Sequence, residues 1–193
     1  MKKDAFIVFL LVNLMIPGYS LTAQQLFLKG DKEVSTGIGF GSSYINKGYS
    51  TQSPPLSITF DYALRDDWGP GVFGVGGYIG SAFYRYRSIN PVTGNMFGYN
   101  YSALTLGARA SYHYVFTENL DTYVGLVLGV RFSSDNPSGD HEHADSKPDQ
   151  ALSNVNTLLV GAKYFFSSNF STFTEISLGY GIPYFTLGVG CKF

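Results

Sequence analysis

Apolar residues alternate with small or polar residues along most of this 193-residue chain, with a period of two. In residues 121–132, for example, Val124, Leu126, Leu128 and Val130 would lie on one face of a strand, opposite a face rich in glycine. Alternation over ten or more residues is long for a soluble protein and matches a tilted strand that crosses a membrane. We therefore expect this segment to be a membrane-crossing β-strand.

The same pattern recurs in seven other segments. The eight predicted strands are 32–44, 55–64, 72–86, 99–114, 121–132, 154–166, 171–180 and 184–193. Short turns rich in turn-forming residues, at 66–70, 117–119 and 167–169, alternate with longer connections at 45–54, 87–98 and 133–153. This alternation is typical of outer-membrane barrels, in which the short turns face the periplasm. The last connection, 181–183, breaks the rule because it is short where a long loop is expected.

The chemistry of the two strand faces separates a membrane barrel from a soluble sandwich or lipocalin-like barrel. Most strands carry one large apolar face and one face of glycine, serine and threonine with single charges. In a narrow barrel in lipid the apolar face points outward and the small polar face fills the lumen. The ring must close, because hydrocarbon cannot satisfy a free backbone edge. Aromatic residues near strand ends are expected to form an interfacial belt: Tyr62, Tyr112, Tyr114, Phe116, Tyr164, Phe166 and Phe170.

The N-terminus indicates export. Met1-Lys2-Lys3 precedes an apolar run over 5–17 that is too short for a transmembrane helix and typical of a signal peptide. Cleavage after Ala23 is favoured, which leaves one all-β domain over 24–193, an eight-stranded antiparallel transmembrane barrel. Cleavage after Ser20 fits the small-residue rule better, because Leu21 is bulky for its position before the later cut. An uncleaved interfacial anchor is the third interpretation.

Composition excludes several classes of protein. Charged residues make up 14% of the chain, the formal net charge is −1, and no basic stripe suggests nucleic-acid binding. The single cysteine, Cys191, cannot form an internal disulfide. After residue 23 no long apolar run occurs, which excludes a helical membrane protein.

The last ten residues resemble the C-terminal strand of outer-membrane barrels. Phe193 supplies a terminal aromatic residue, Val189 and Leu187 match the alternate apolar positions, and Cys191 is an unusual apolar substitute. The resemblance implies that Leu187, Val189 and Phe193 are read by the barrel-assembly machinery and that the protein resides in a bacterial outer membrane. The chain from residue 24 onward resembles small barrels of the OmpX/Ail and OmpA-barrel type. This resemblance concerns architecture, because such barrels host adhesins, anchors, small pores and lipid-modifying enzymes.

Charges on the inward face are the first candidates for a site. The alternation of inward and outward positions along each strand (here called parity) predicts that six charged residues point into the lumen: Asp61, Arg109, Arg131, Lys163, Glu175 and Lys192. A turn centred near Asn169 would place Lys163 opposite Glu175, and the last hairpin would bring Lys192 close to them. Isolated buried charges cost several kcal/mol, and eight strands leave room only for side chains. A network of structural ion pairs is therefore expected, rather than an ion or proton path.

The stretch His141-Glu142-His143-Ala144-Asp145 is a weak candidate for a metal site. Its imidazoles and carboxylates, chiefly His141, His143 and Asp145, are ligands that zinc accepts. Adjacent positions of an acidic loop seldom form a tetrahedral site, and no second cluster completes this one. No metal or cofactor is predicted.

The sequence favours a non-enzymatic barrel with a structural and surface-display role, exerted through its loops. Nucleophilic catalysis needs a base beside a nucleophile, and the chain lacks the His-x-Ser-Asn stretch of lipid A deacylases. The expected partners are outer-membrane lipid, lipopolysaccharide and the barrel-assembly machinery, with a surface or membrane-complex protein as a further candidate. Two alternatives stay open: an OmpW-like conduit for small apolar solutes, suggested by inward Val127, Leu159 and Phe173, and a lipid-A-modifying barrel enzyme.

Overall fold

The structure, a computed structural model, describes residues 26–41, 50–90, 93–139 and 149–193. These residues form a closed antiparallel barrel in which each strand pairs with its neighbours in sequence and β8 pairs with β1. The strands are β1 (Lys32–Phe40), β2 (Ser50–Arg65), β3 (Val72–Ile89), β4 (Met96–Thr117), β5 (Leu120–Gly139), β6 (Asp149–Phe165), β7 (Phe170–Tyr180) and β8 (Phe185–Lys192). The predicted fold class is confirmed. Residues 1–23, the predicted signal peptide, lie outside the described residues.

The strands are staggered around the ring. A row of directly opposed residues that starts at Tyr180 on β7 returns to the same strand at Phe170, ten residues lower. The row passes through Asn156, Leu128, Ala108, Gly77, Phe60, Val34 and Cys191. This stagger tilts the strands against the barrel axis, as closure of an eight-stranded ring requires.

The outward face of the ring is apolar, as the alternation predicts. Leu158 and Ile176 are exposed, whereas Leu159, the neighbour of Leu158 in sequence, is buried in the lumen. A ring of exposed aliphatic side chains around a closed backbone is stable in lipid and not in water. The barrel therefore spans a membrane with its strands. Among the residues that the structure describes, no helix is long and apolar enough to cross a membrane.

The aromatic belt lies at the end of the barrel that carries the short turns, here called the turn side. Five of the predicted residues are exposed there: Tyr114, Phe116, Tyr164, Phe166 and Phe170. Tyr62 and Tyr112 are partly buried instead. The hydroxyl of Tyr112 accepts a hydrogen bond from the Gly71 amide at 3.0 Å and donates one to the Trp68 carbonyl at 3.1 Å, so it also ties down the β2–β3 turn.

At the opposite end, the loop side, several strands are longer than predicted. β3 reaches Ile89, β4 starts at Met96, and β5 reaches Gly139. Much of 87–98 and 133–153, assigned to loops from sequence, is thus paired strand. The regular alternation of apolar and polar residues is lost there, although the backbone ladder continues. In contrast, β1 was expected to reach residue 44 and ends at Phe40.

Candidate functional site

Five buried charged side chains form a connected set across the lumen, here called the charge ladder. Lys163 Nζ lies 2.9 Å from Glu33 Oε2 and 3.9 Å from Asp61 Oδ2. Arg109 continues the ladder, with Nε 3.1 Å from Asp61 Oδ1 and Nη2 2.6 Å from Glu175 Oε1. Each cation thus lies between two carboxylates, and the five residues come from β1, β6, β2, β4 and β7. The ladder ties together strands that are not neighbours in the ring.

Small inward residues make room for these long side chains. Gly76 on β3 lies opposite both Asp61 and Arg109, and a side chain on Gly76 would collide with the backbone of Phe60. Hydroxyl groups add hydrogen bonds to two of the carboxylates: Tyr123 donates to Glu175 Oε1 at 2.7 Å and Ser35 to Glu33 Oε1 at 2.9 Å. Because a buried charge is costly unless it is both paired and hydrogen-bonded, the small inward face is what permits the ladder.

The register of the β6–β7 hairpin corrects one expectation. Phe165 pairs with Ser171, so the turn is centred at residue 168 and not at Asn169. A shift of the centre by one residue moves every cross-strand pair by two. Lys163 therefore lies opposite Phe173, and its ammonium group reaches Glu33 rather than Glu175. The expected Lys163–Glu175 pair was wrong, because turn geometry sets the register of a hairpin.

Two other predicted lumen charges lie away from the ladder. Lys192 Nζ is 3.1 Å from Asp31 Oδ2 and donates to the Leu26 carbonyl at 2.8 Å, at the turn-side mouth and not beside Glu175. Arg131 lies nearer the loop side, where its guanidinium bonds to the Tyr180 hydroxyl and to Ser153 Oγ at 3.3 Å. The structure thus brings together Asp61, Arg109, Lys163 and Glu175.

The inward acids Glu33 and Asp121 were missed from sequence. Glu33 shares the parity of Ser35 and Gly37, and Asp121 that of Tyr123, so the signal was present in the alternation. Both acids stand near the ends of predicted strands, where few neighbouring residues define the inward face.

Next to the ladder, His113 links an acid and a hydroxyl. Its Nδ1 lies 2.6 Å from Asp121 Oδ2 and its Nε2 lies 3.0 Å from Ser111 Oγ. This is the order of nucleophile, base and orienting acid found in hydrolases. All three side chains are buried, and the imidazole is packed between the rings of Phe27 and Tyr123, at centroid distances of 4.5 and 4.9 Å. The hydroxyl group therefore presents no accessible surface to a substrate.

The sequence did not reveal this arrangement, because only the β4–β5 hairpin brings Asp121 beside a histidine eight residues away.

Chain segments outside the strands bury apolar side chains at both ends of the lumen. On the turn side, Phe27 is fully buried and packs against Ala63 and Val72. On the loop side, the short β7–β8 connection folds inward, so that Ile182 is buried against an apolar layer that contains Val127 and Leu159. Thus the short last connection, an exception in the sequence pattern, acts as a plug. Two of the three inward apolar residues that suggested a conduit, Val127 and Leu159, belong to this layer, whereas Phe173 does not.

The loop-side rim is uneven. β7 ends at Tyr180 and pairs with β6 only as far as Asn156. The preceding part of β6 pairs with β5 alone, so in the described structure residues 149–155 form a sheet edge without a partner strand. On the other side of the rim β2 extends beyond β1, but it carries Pro54 and Pro55 and its pairing with β3 is irregular there. Proline blunts an edge, since it lacks a backbone N–H group.

Leu187, Val189 and Phe193 are exposed on the outward side of the last strand and its end. The backbone of Phe193 exchanges two hydrogen bonds with Lys32, which helps to close the ring. Within the described ranges, no group of three or more His, Cys, Asp or Glu side chains is placed to hold a metal ion. His141, His143 and Asp145 lie outside those ranges.

Comparison with known proteins gives similarity in structure alone. No protein-family model matches the chain, and no curated protein matches it in sequence. It is similar to the N-terminal β-barrel domain of Pseudomonas aeruginosa OprF (18% identity, 86% of this chain and 98% of that chain, TM-score 0.48). It is also similar to the attachment invasion locus protein Ail of Yersinia pestis (14%, 86% and 100%, 0.45) and to Neisserial surface protein A (11%, 84% and 94%, 0.47).

The assignment of the chain rests on its own architecture. A closed ring of eight antiparallel strands, with a lipid-facing apolar band and an aromatic belt, is the architecture of bacterial outer-membrane barrels. The protein is therefore an outer-membrane β-barrel.

Proposed function

We infer that this protein is a non-enzymatic barrel that helps to structure the outer membrane and displays its loop-side rim for interactions at the cell surface. The observation that carries the proposal is the packing of the lumen by described residues: buried ion pairs, an apolar layer that includes Ile182, and the buried ring of Phe27. A lumen packed in this way favours a scaffold over a channel or a conduit. Activity is then expected at the rim, where recognition residues of rigid scaffolds are usually found.

The open edge of β6 supports a protein partner. This edge runs over 149–155, carries a charge only at its first residue, Asp149, and has no proline, whereas the opposite edge is blunted by Pro54 and Pro55. Natural proteins protect edges that must not pair, and an unprotected edge can accept an added strand from another chain. A partner with an extended segment would bind on this side of the rim.

The proposal includes the route to the membrane and the other partners. Residues 1–23 would be removed as a signal peptide, leaving the domain 24–193. Leu187, Val189 and Phe193 would be read by the barrel-assembly machinery. Outer-membrane lipid and lipopolysaccharide would surround the apolar band.

Orientation is tested by cysteine labelling in intact cells. In a Cys191→Ser background, which removes the single native cysteine, one variant carries Asn95→Cys on the loop side and its matched control Glu118→Cys on the turn side. Both positions are exposed. A membrane-impermeant maleimide should label the first variant in intact cells and the second only after permeabilisation. Labelling of the second variant in intact cells would contradict the proposed display of the rim.

The absence of catalysis is tested on the Ser111–His113–Asp121 arrangement, which resembles a catalytic set. Lipid A from cells with the native protein, with Ser111→Ala and without the protein should give identical mass spectra. A modified lipid A species that requires Ser111 would replace the display proposal with an enzyme. Planar-bilayer recordings of the pure protein should likewise show no steady conductance, and a large stable conductance would mean that the lumen opens.

A further inference from the structure

A groove of about 630 Å³ lies on the outward face of the barrel, at the loop-side end of β3 to β6. Each of these strands contributes one large exposed apolar side chain to its wall: Phe83, Leu104, Phe132 and Leu152. Small residues on the same strands leave the gaps between them: Ser81, Ser102 and Ser134. The groove is thus apolar with hydroxyl groups along it.

The groove lies at the outer end of the apolar band. On β5 the outward apolar run begins at Val124 and ends at Phe132, which is about the length that a tilted strand needs to cross the hydrocarbon. The next outward residues of that strand are Ser134 and Asn136. The groove therefore faces the level at which lipid chains meet their headgroups, not the middle of the bilayer.

Beyond the groove the outward face becomes cationic. Arg85 is exposed and lies opposite Asn100, which lies opposite Asn136. Arg87, the next outward residue of β3, donates from Nη2 to Asn100 Oδ1 at 3.0 Å, which holds its guanidinium against this face. Arg85, Asn100 and Asn136 form a row across β3, β4 and β5. Between this row and the loop-side ends of these strands, the described outward positions carry no Asp or Glu.

The other side of the rim has a different chemistry. There the outward residues at the strand ends are aromatic and uncharged: Phe40 and Phe185. The combination of an apolar groove, a row of hydroxyl and amide groups and a pair of arginines is thus confined to β3–β6 among the described residues. Lipid contact in general does not require it.

We propose that this surface binds one acylated, phosphorylated sugar lipid of the outer leaflet. An acyl chain occupies the groove, the sugar phosphate lies against Arg85 and Arg87, and the sugar hydroxyl groups meet Ser102, Ser134 and Asn136. Guanidinium groups bind phosphate in a charge-assisted, bidentate geometry, and serine and amide groups can both donate to and accept from hydroxyl groups. The assignment rests on the proposed function, since it requires the loop side to face the cell exterior.

The binding is measured by native mass spectrometry of the full-length mature protein in detergent, with purified lipid A as the probe. Arg85→Gln with Arg87→Gln should lower the retained lipid A about tenfold, since two charge-assisted contacts are lost. The matched control removes two turn-side cations, Lys32→Gln with Arg65→Gln, and should retain lipid A as the native protein does. Heat-modifiable migration on gels confirms that each variant is folded.

Two further lipids test whether binding depends on the phosphate and on the sugar of the ligand. Lipid A without its phosphates should bind as weakly to the native protein as lipid A does to the double arginine variant. Phosphatidylglycerol, which has the phosphate and chains but no sugar, should fail to displace lipid A. Equal displacement by phosphatidylglycerol would overturn the assignment to a sugar lipid.

Filling the groove provides an independent arm. Ser102→Phe should lower lipid A retention, whereas Ala108→Phe, outward on the same strand but nearer the turn side, should not. Equal retention by the native protein, the arginine variant and Ser102→Phe would overturn the site. Correct surface labelling of Asn95→Cys together with that result would show that this site alone, and not the display function, is wrong.

Discussion

The turn-side and loop-side halves of the barrel differ in how completely their strands pair and in where their charged residues lie. In the turn-side half every strand is paired on both sides, the lumen holds the charge ladder, and Phe27 covers the mouth. In the loop-side half the strands end at different heights, one edge of β6 has no partner strand in the described structure, and Arg85 and Arg87 point outward. The ladder charges of the first half are buried and paired with each other, while Arg85 and Arg87 at the rim face the surroundings.

This difference separates stability from recognition. Removing one partner from a buried ion pair leaves an unpaired charge in the lumen, so substitutions in the ladder of the turn-side half are costly. Rim charges are hydrated in either state of the chain and contribute little to folding. Sequence can therefore vary at the rim without loss of the barrel, which is what an interaction surface on a fixed scaffold requires.

The largest effect is expected at Arg109. Arg109→Met leaves Glu175 without its cation and Asp61 with only Lys163 at 3.9 Å. It should lower the free energy of unfolding by about 3–5 kcal/mol, measured by urea titration in lipid vesicles. Arg87→Met at the rim, the matched arginine, should cost less than about 1 kcal/mol. Equal losses in the two variants would abolish the distinction between the halves.

Phe27 should come next. Phe27→Ala removes a fully buried ring from the turn-side mouth and should cost about 3 kcal/mol in the same titration. The adjacent Leu28 is 44% exposed, so Leu28→Ala serves as its control and should change stability far less. If the two alanine variants unfold at the same urea concentration, Phe27 is not a structural plug.

Coupling energies, which are smaller than the losses above, test which side chains of the ladder are in contact. In a double-mutant cycle, Arg109→Met and Glu175→Gln should show a coupling of about 1–3 kcal/mol, because their side chains are in contact. The cycle of Lys163→Met with Glu175→Gln should give a smaller coupling, since Lys163 contacts Glu33 instead. A larger coupling in the second cycle would restore the pairing expected from sequence.

The smallest effect is expected at the Arg65–Asp67 pair in the β2–β3 turn, whose side chains are 45% and 58% exposed. The hydrogen bond from Arg65 lowers the pKa of Asp67, so any contribution exists above the ordinary carboxyl pKa and is lost as pH falls through the lowered value. Water and salt screen such a pair. Asp67→Asn should leave the urea midpoint unchanged at neutral pH, and a clear shift would show that an exposed turn charge matters as much as a buried one.

The sequence by itself determined the strand number, the inward and outward faces and the membrane setting, because all three depend on a local period of two. The orientation of residues such as Val124 and Leu158 can be predicted from the residues next to them in sequence. The same parity marked Asp61, Arg109, Lys163 and Glu175 as inward.

Only the tertiary structure decided which groups meet. Lys163 reaches Glu33 because one residue in the centre of a turn shifts every pair along the hairpin, and Asp121 joins His113 through another hairpin. The extension of β3–β5 beyond the apolar band cannot be predicted from alternation, since backbone pairing does not require alternating side chains. The same holds for the inward position of Ile182, which lies outside the strands. Local patterns record which side of a strand a residue occupies, whereas contacts across a closed ring depend on register and stagger, which the whole ring sets.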